Sequence, residues 1–332
     1  MSSKNLSIVE CITSDDGLEF LLPVVGTKAY LSAKAVRYGW FRDRNFLLPY
    51  IIERKAIFNR MVFTHETILT GSEDARSREK DFLESVVTAA RKMGVDFIYQ
   101  PHATAVFSAV PDGAASARFG SYIVDLALSE EALWQNVHSK HRNVIRKARD
   151  AGIVISDHPD NIETCYRLIA QTMRRNRKLH VTLSEMRRMR DSLGNNASFY
   201  VASLNGEPQG AAFLVWSEGH TAYYLHGGTS DQPYGGAMNL LHWRAMNDMK
   251  ARGVRTYDFV GARISPDPES KLATIQRFKE RFGATMRQGH LWKMSLRPWR
   301  YRAFQLVAYA NALVHGTIYR GDIIDEENAG GR

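Results

Sequence analysis

Thr274-Ile275-Gln276-Arg277-Phe278-Lys279-Glu280-Arg281-Phe282-Gly283-Ala284 puts a lysine, flanked by phenylalanines, at a predicted helix end just before a late strand. A lysine there can stabilise negative charge that develops on a reacting carbonyl. The same spacing also suits a plain helix, with Phe278 and Phe282 as core positions and Lys279 in solvent.

Working outward, apolar periodicity predicts strands at 199–202, 211–216, 221–225 and 255–260 and a final strand at 290–296. Helices are expected at 162–173, 184–193, 236–252 and 272–281. Upstream, Ser129 followed by Glu130 and Glu131 caps one helix, with Leu133, Val137, Val144 and Ile145 near helical spacing and Gly152 as its stop. Before it lies a half of mixed strands and helices, with strands at 96–99 and 121–126.

The chain has 332 residues, 44% of them hydrophobic, enough for two moderate domains. Its apolar runs, such as 210–216, are far shorter than the roughly 20 residues of a spanning helix, and the first residues carry no leader-like apolar stretch. A cytoplasmic protein is expected, with peripheral contact at the inner face of the membrane as an added possibility. Cys11 and Cys165 have no metal or redox spacing and read as buried thiols. A net charge of +9 favours polyanionic partners: RNA, a phosphorylated cofactor or an anionic membrane.

The order of two helices, three antiparallel strands, helix, strand, helix, strand resembles the N-acetyltransferase fold of the GNAT superfamily. Lys140-His141-Arg142-Asn143-Val144-Ile145-Arg146-Lys147-Ala148, Tyr257-Asp258-Phe259-Val260-Gly261 and Phe278-Lys279-x-x-Phe282-Gly283 are similar to motifs of the FemAB family of aminoacyl-tRNA-dependent peptidyltransferases. The resemblance covers roughly 126–296. It implies an α/β (α+β) fold of two tandem GNAT-like subdomains, mixed sheets flanked by helices without a long coiled-coil arm, and an active cleft between the subdomains. The expected division is 1–126 as a degenerate subdomain, 127–160 as a connecting basic helix and strand, 161–297 as the catalytic subdomain and 298–332 as a C-terminal helix and frayed tail.

The family reaction is aminolysis of the ester between an amino acid and the tRNA 3′ end, with no resident cofactor and aminoacyl-tRNA as co-substrate. By resemblance Lys279 lies near that ester, with Phe278 holding it by packing or a cation–π contact. Asp258, at a strand end, can orient the attacking amine or accept its proton, or simply cap the next loop, and Tyr257 adjoins it. Arg142, Arg146 and Arg149 recur along one helix face beside Lys140, suited to phosphates or simply to solvent. Asp125 is a weaker candidate for an acceptor ammonium. The acceptor expected is an amine on a peptidoglycan-precursor-like molecule, another peptide or an amino sugar, nucleotide-linked or lipid-linked, in cell-wall or peptide biosynthesis. The Arg-Tyr pair common ahead of the second helix in cell-wall members is not recognisable in 181–188, which weakens the peptidoglycan precursor as acceptor.

Gln232-Pro233-Tyr234-Gly235-Gly236-Ala237 matches the loose loop with which ordinary GNAT enzymes hold acyl-CoA, so Gln232, Tyr234, Gly235, Gly236 and Ala237 keep an acyl-CoA-dependent N-acyltransferase open; a turn explains the same residues. A non-enzymatic RNA-binding module is the third reading. There is no G-x-S-x-G, H-E-x-x-H or P-loop motif, and no metal is expected. The stretch 298–319 reads either as an amphipathic helix on an anionic membrane or as a helix packed back onto the protein. Oligomeric state is not fixed by the sequence.

Overall fold

Contacts divide the chain into two units, Met1–Gly120 with Gln288–Arg332, and Ser121–Arg287. The structure, a computed structural model, describes residues 9–18, 21–176, 181–264, 266–314 and 321–330.

In chain order the elements are β1 (Glu10–Ile12), α1 (Lys28–Lys34), β2 (Arg37–Arg42), β3 (Phe46–Lys55), β4 (Phe58–Phe63), β5 (Ile68–Leu69), α2 (Glu79–Lys92), β6 (Phe97–Ile98) and β7 (Ala115–Asp125). There follow α3 (Glu130–Asn136), α4 (Ser139–Asp150), β8 (Val154–Asp157), α5 (Ile162–Arg175), α6 (Leu183–Leu193), β9 (Ala197–Leu204), β10 (Glu207–Trp216) and β11 (Thr221–Thr229). The chain closes with α7 (Ala237–Ala251), β12 (Thr256–Asp258), β13 (Ala262–Arg263), α8 (Lys271–Glu280), β14 (Thr285–Ser295), α9 (Pro298–Val314) and α10 (Ile323–Gly330).

In the first unit the strands run β1-β2-β3-β4-β6-β14, antiparallel except for the parallel β4–β6 pair. Phe41, Leu48, Phe63 and Trp292 meet Phe82, Leu83 and Val86 of α2 in one core. In the second unit the order is β8-β9-β10-β11-β12-β7, with β11–β12 parallel and the other pairs antiparallel. Strand alternation places Tyr200, Ala202, Ala212, Leu214 and Trp216 in a core with Leu241, Ala245, Met246 and Met249 of α7. This is the mixed α/β architecture expected, and the longest helix among the described residues is the 17-residue α9, so no coiled-coil arm is present.

Several expectations change. The helix predicted from Ser129 is two helices, because Val137 takes an extended backbone and His138 caps α4, its Nδ1 accepting from Lys140 N–H while its own N–H goes to Arg281 O. The strand expected over 255–260 stops at Asp258, where Val260 and Gly261 turn left-handed. Cys165 is buried but Cys11 is exposed on β1. The tail expected to fray forms α10, with Ile324 buried and Asp322 paired to the buried Lys293 at 2.8 Å; residues 331–332 lie outside the described ones. Helix α9 packs Tyr301 and Phe304 on Phe97, at 5.1 and 4.8 Å between ring centres. Residues 315–319 of the stretch read as its continuation lie outside the described ones.

Candidate active site

Helix α8 starts where Ser270 Oγ accepts the Ala273 N–H and brings Lys279 into its last turn. Gly283 then turns at φ +77°, and an added Cβ there would sit 2.8 Å from Asn136 Cβ, so glycine lets α3 approach closely. Opposite, β12 ends at the buried Asp258, and the backbone enters the left-handed region at Val260 (φ +47°) and Gly261 (φ +76°). A β-branched residue in that region is an outlier that its surroundings must hold. Asp258 Oδ1 accepts the Val260 N–H at 2.7 Å and also the Ser121 hydroxyl. The turn aims two carbonyls at Lys279, whose Nζ donates to Val260 O at 2.8 Å and to Gly261 O at 2.6 Å.

Lys279 is only 6% exposed, which excludes the solvated reading. Burial pulls its pKa down to about 8, and the Asp258 charge acts against that. The carbonyl pair, rather than Phe278, anchors its ammonium. Phe278 is half-buried and meets other rings tilted or edge-on: His141 at 5.2 Å, His242 at 5.7 Å and Phe282 at 5.2 Å. Tyr257 is buried and its Oη is hydrogen-bonded to His242 Nδ1 at 2.9 Å. Burial first, then the Lys279 charge, holds His242 down to about 3, and burial holds His141 down to about 4. Both imidazoles are therefore neutral at pH 7, and His242 Nε2 and His141 Nδ1 are buried without a hydrogen-bond partner.

The structure thus brings together Lys279, Phe278, Asp258 and Tyr257 and adds His141, His242 and Ser121, which the sequence reading missed. His141 shares a helix face with Ile145 and Ala148, and His242 interrupts an apolar run, so both carried a signal of burial. Ser121 carried none.

The other predicted residues lie apart. Arg142 spends its Nη1 on carbonyls ending α3, those of Gln135 at 2.9 Å and Val137, so it acts as a helix cap. Arg146 is exposed over the Trp134 ring at 5.4 Å, and Lys140 is exposed. Asp125 is exposed, pairs in register with Thr256 at the end of the ladder away from Asp258, and accepts the Ala127 N–H at 2.9 Å. Gln232, Tyr234 and Gly235 are exposed, with Tyr234 N–H on Gln209 Oε1 at 2.9 Å, while Ala237 is buried as the first residue of α7. Gly236 (φ +96°) rests on α4: an added Cβ would lie 2.5 Å from Val144 O. The glycine loop and the basic helix are therefore neighbours. Among the described residues no group of three or more His, Cys, Asp or Glu could hold a metal ion.

A family profile described as an acetyltransferase (GNAT) domain matches residues 135–279, the stretch that holds Gly236, Asp258 and Lys279. Among solved structures, the chain is similar to FemX, at 13% identity over 89% of this chain and 99% of that one, with a TM-score of 0.66. It has a GNAT fold like that of FemX. Similar in fold are also the C-terminal domain of a putative lysylphosphatidylglycerol synthetase from Agrobacterium fabrum (15% identity, 77% and 84% covered, TM-score 0.51) and a tandem GNAT protein from the clavulanic acid biosynthesis pathway (11%, 87% and 98%, 0.50). No curated protein matches the sequence. Within this fold the segments around Lys279 and Asp258 meet in one clamp. No helix among the described residues is long and apolar enough to cross a membrane.

Proposed function

We propose that this chain is an aminoacyltransferase that moves an amino acid from aminoacyl-tRNA to an amine acceptor and forms an amide. The observation that carries the reading is the buried Lys279 ammonium, with two of its three donors on Val260 and Gly261 carbonyls and one left for a substrate oxygen. In this transfer the acceptor nitrogen bonds to the ester carbon, charge gathers on the carbonyl oxygen, and the bond to the ribose oxygen breaks. The nitrogen loses a proton and the ribose oxygen gains one, so no further reagent is needed. A cation in a buried, poorly screened position stabilises the oxyanion strongly, and a pKa of about 8 suits Lys279 to lend a proton and recover it.

Asp258 serves as a positioning residue through its bond to Val260 N–H, and Phe278 and Tyr257 fix the aromatic wall behind the lysine. Lys140 and Arg146 are the exposed cations for phosphates of tRNA or of a nucleotide-linked or lipid-linked acceptor. Asp125 is available to an acceptor ammonium. A cytoplasmic site of action fits a tRNA donor.

An acyl-CoA donor is the second reading, favoured by the strand register. Beyond Tyr223, β11 runs on to Thr229 with no register partner on β12, so the two parallel strands part there, as insertion of an extended acyl chain requires. Gln232, Tyr234, Gly235, Gly236 and Ala237 then form the loop at the pyrophosphate. Titration with charged tRNA, the same pool deacylated, and acetyl-CoA at one fixed salt concentration separates the readings. Preference for charged tRNA with amide formation supports the aminoacyltransferase. Saturable acetyl-CoA binding overturns it, and equal binding of both RNA pools without turnover leaves an RNA-binding module.

A further inference from the structure

Helix α9 is apolar on two faces, and only one of them is covered. Tyr301 and Phe304 face inward on Phe97, Tyr99 and Phe58. Positions 299, 303, 306 and 310 recur at helical spacing on the other side, where Trp299 is 67% and Leu306 69% exposed, with Val307 and Tyr309 flanking them more than half exposed. The β3–β4 turn extends this surface: Ile57 is 64% exposed, and its carbonyl accepts from Arg300. Large side chains clustered this way mark a contact surface, whereas singly scattered ones do not.

The charge carried by α9 itself has one sign. Over 297–314 the sequence holds no acidic residue but three arginines, Arg297, Arg300 and Arg302. Arg297 and Arg300 share the single buried carboxylate of Asp96, which offsets only one of their charges, and Arg302 is exposed beside Leu306. A tryptophan and a tyrosine at the rim of an apolar stripe with arginine alongside suit the boundary between headgroups and acyl chains, where a helix lies in the plane. We infer that the outer face of α9, with Ile57, docks the first unit on an anionic lipid bilayer. The charge complementarity selects lipid over a second copy of this basic chain, whose equivalent face would repel it.

The surface stands apart from the transfer chemistry, because vesicle binding needs neither donor nor acceptor. The full chain is floated with vesicles of neutral phosphatidylcholine and with the same vesicles carrying phosphatidylglycerol. Binding to the anionic vesicles alone, weakened as salt rises, is the expected result. Leu306→Glu should cut the partition coefficient by more than about tenfold, since it puts a charge on the apolar face that enters the bilayer, and Arg302→Gln by about fivefold. Both positions are exposed, so an unchanged thermal midpoint verifies that each variant is folded. Absence of binding, binding indifferent to both substitutions, or a dimer in solution that Leu306→Glu dissociates would each overturn the inference. A chain that floats but transfers nothing refutes only the aminoacyltransferase.

Discussion

Replacing Lys279 with methionine keeps the aliphatic stem and removes the ammonium. In the folded chain the lysine titrates at about 8 against 10.5 in water. Between those values the unfolded chain binds more protons than the folded one, so the lysine makes stability rise with pH across that window and holds it down below pH 8. The drop from 10.5 to about 8, at about 1.4 kcal/mol per pH unit, amounts to about 3 kcal/mol. The variant also loses two hydrogen bonds from a charged donor, about 3–6 kcal/mol together, while relief of the burial penalty returns about 3. Lys279→Met should therefore be about 0–3 kcal/mol less stable than the parent at pH 7, and the gap should widen by about 3 kcal/mol by pH 10.5. Urea unfolding of both proteins across that range measures the difference, in which the other tyrosines and lysines cancel. Turnover supplies the second readout: as a cation Lys279 should give activity that falls as pH passes about 8, and its loss should lower kcat about a hundredfold or more. A stability difference that is flat or narrows between pH 8 and 10.5 refutes the buried-lysine argument, and a rate that rises through pH 8 refutes the oxyanion role.

Two further substitutions separate structural from binding roles. Gly236→Ala must hold a left-handed backbone and fit a methyl 2.5 Å from Val144 O, so it should lower stability by about 2–4 kcal/mol in urea unfolding; less than about 1 would mean that α4 and α7 separate easily. Arg142→Ala uncaps α3 and should lower stability by about 1–2 kcal/mol without changing the salt dependence of RNA binding, whereas Arg146→Ala should reduce that salt slope by about 1 and leave stability unchanged. The reverse pattern would assign the phosphates to Arg142.

Much of the second unit was legible because its strands are long and buried and its helices carry strong periodicity: β10, α5, α7 and α8 fall within a few residues of their expected positions. The break between α3 and α4 was not legible, since Val137 and Ile145 satisfy helical spacing, and what parts the helices is a hydrogen bond from His138 to Arg281, over a hundred residues away. Arg142 looked like a phosphate ligand because spacing reports a face but not what already occupies its guanidinium. Helix α9 is apolar on two faces, so only contacts could say which one is covered.

By itself the sequence determined the class of fold, the order of strands and helices in the second unit, and the identity of Lys279, Asp258 and Gly236 as the residues to watch. The elements follow from short-range rules, side-chain periodicity, caps and glycine where the chain must turn, while the fold class and the residues follow from the motifs' resemblance to a known family. Tertiary structure alone decided that Lys279 is buried, that Val260 and Gly261 turn their carbonyls onto it, and that Asp258 and Ser121 hold that turn. The reason is distance along the chain: a lysine's charge state depends on which groups replace its water, and those groups come from segments that only folding brings together.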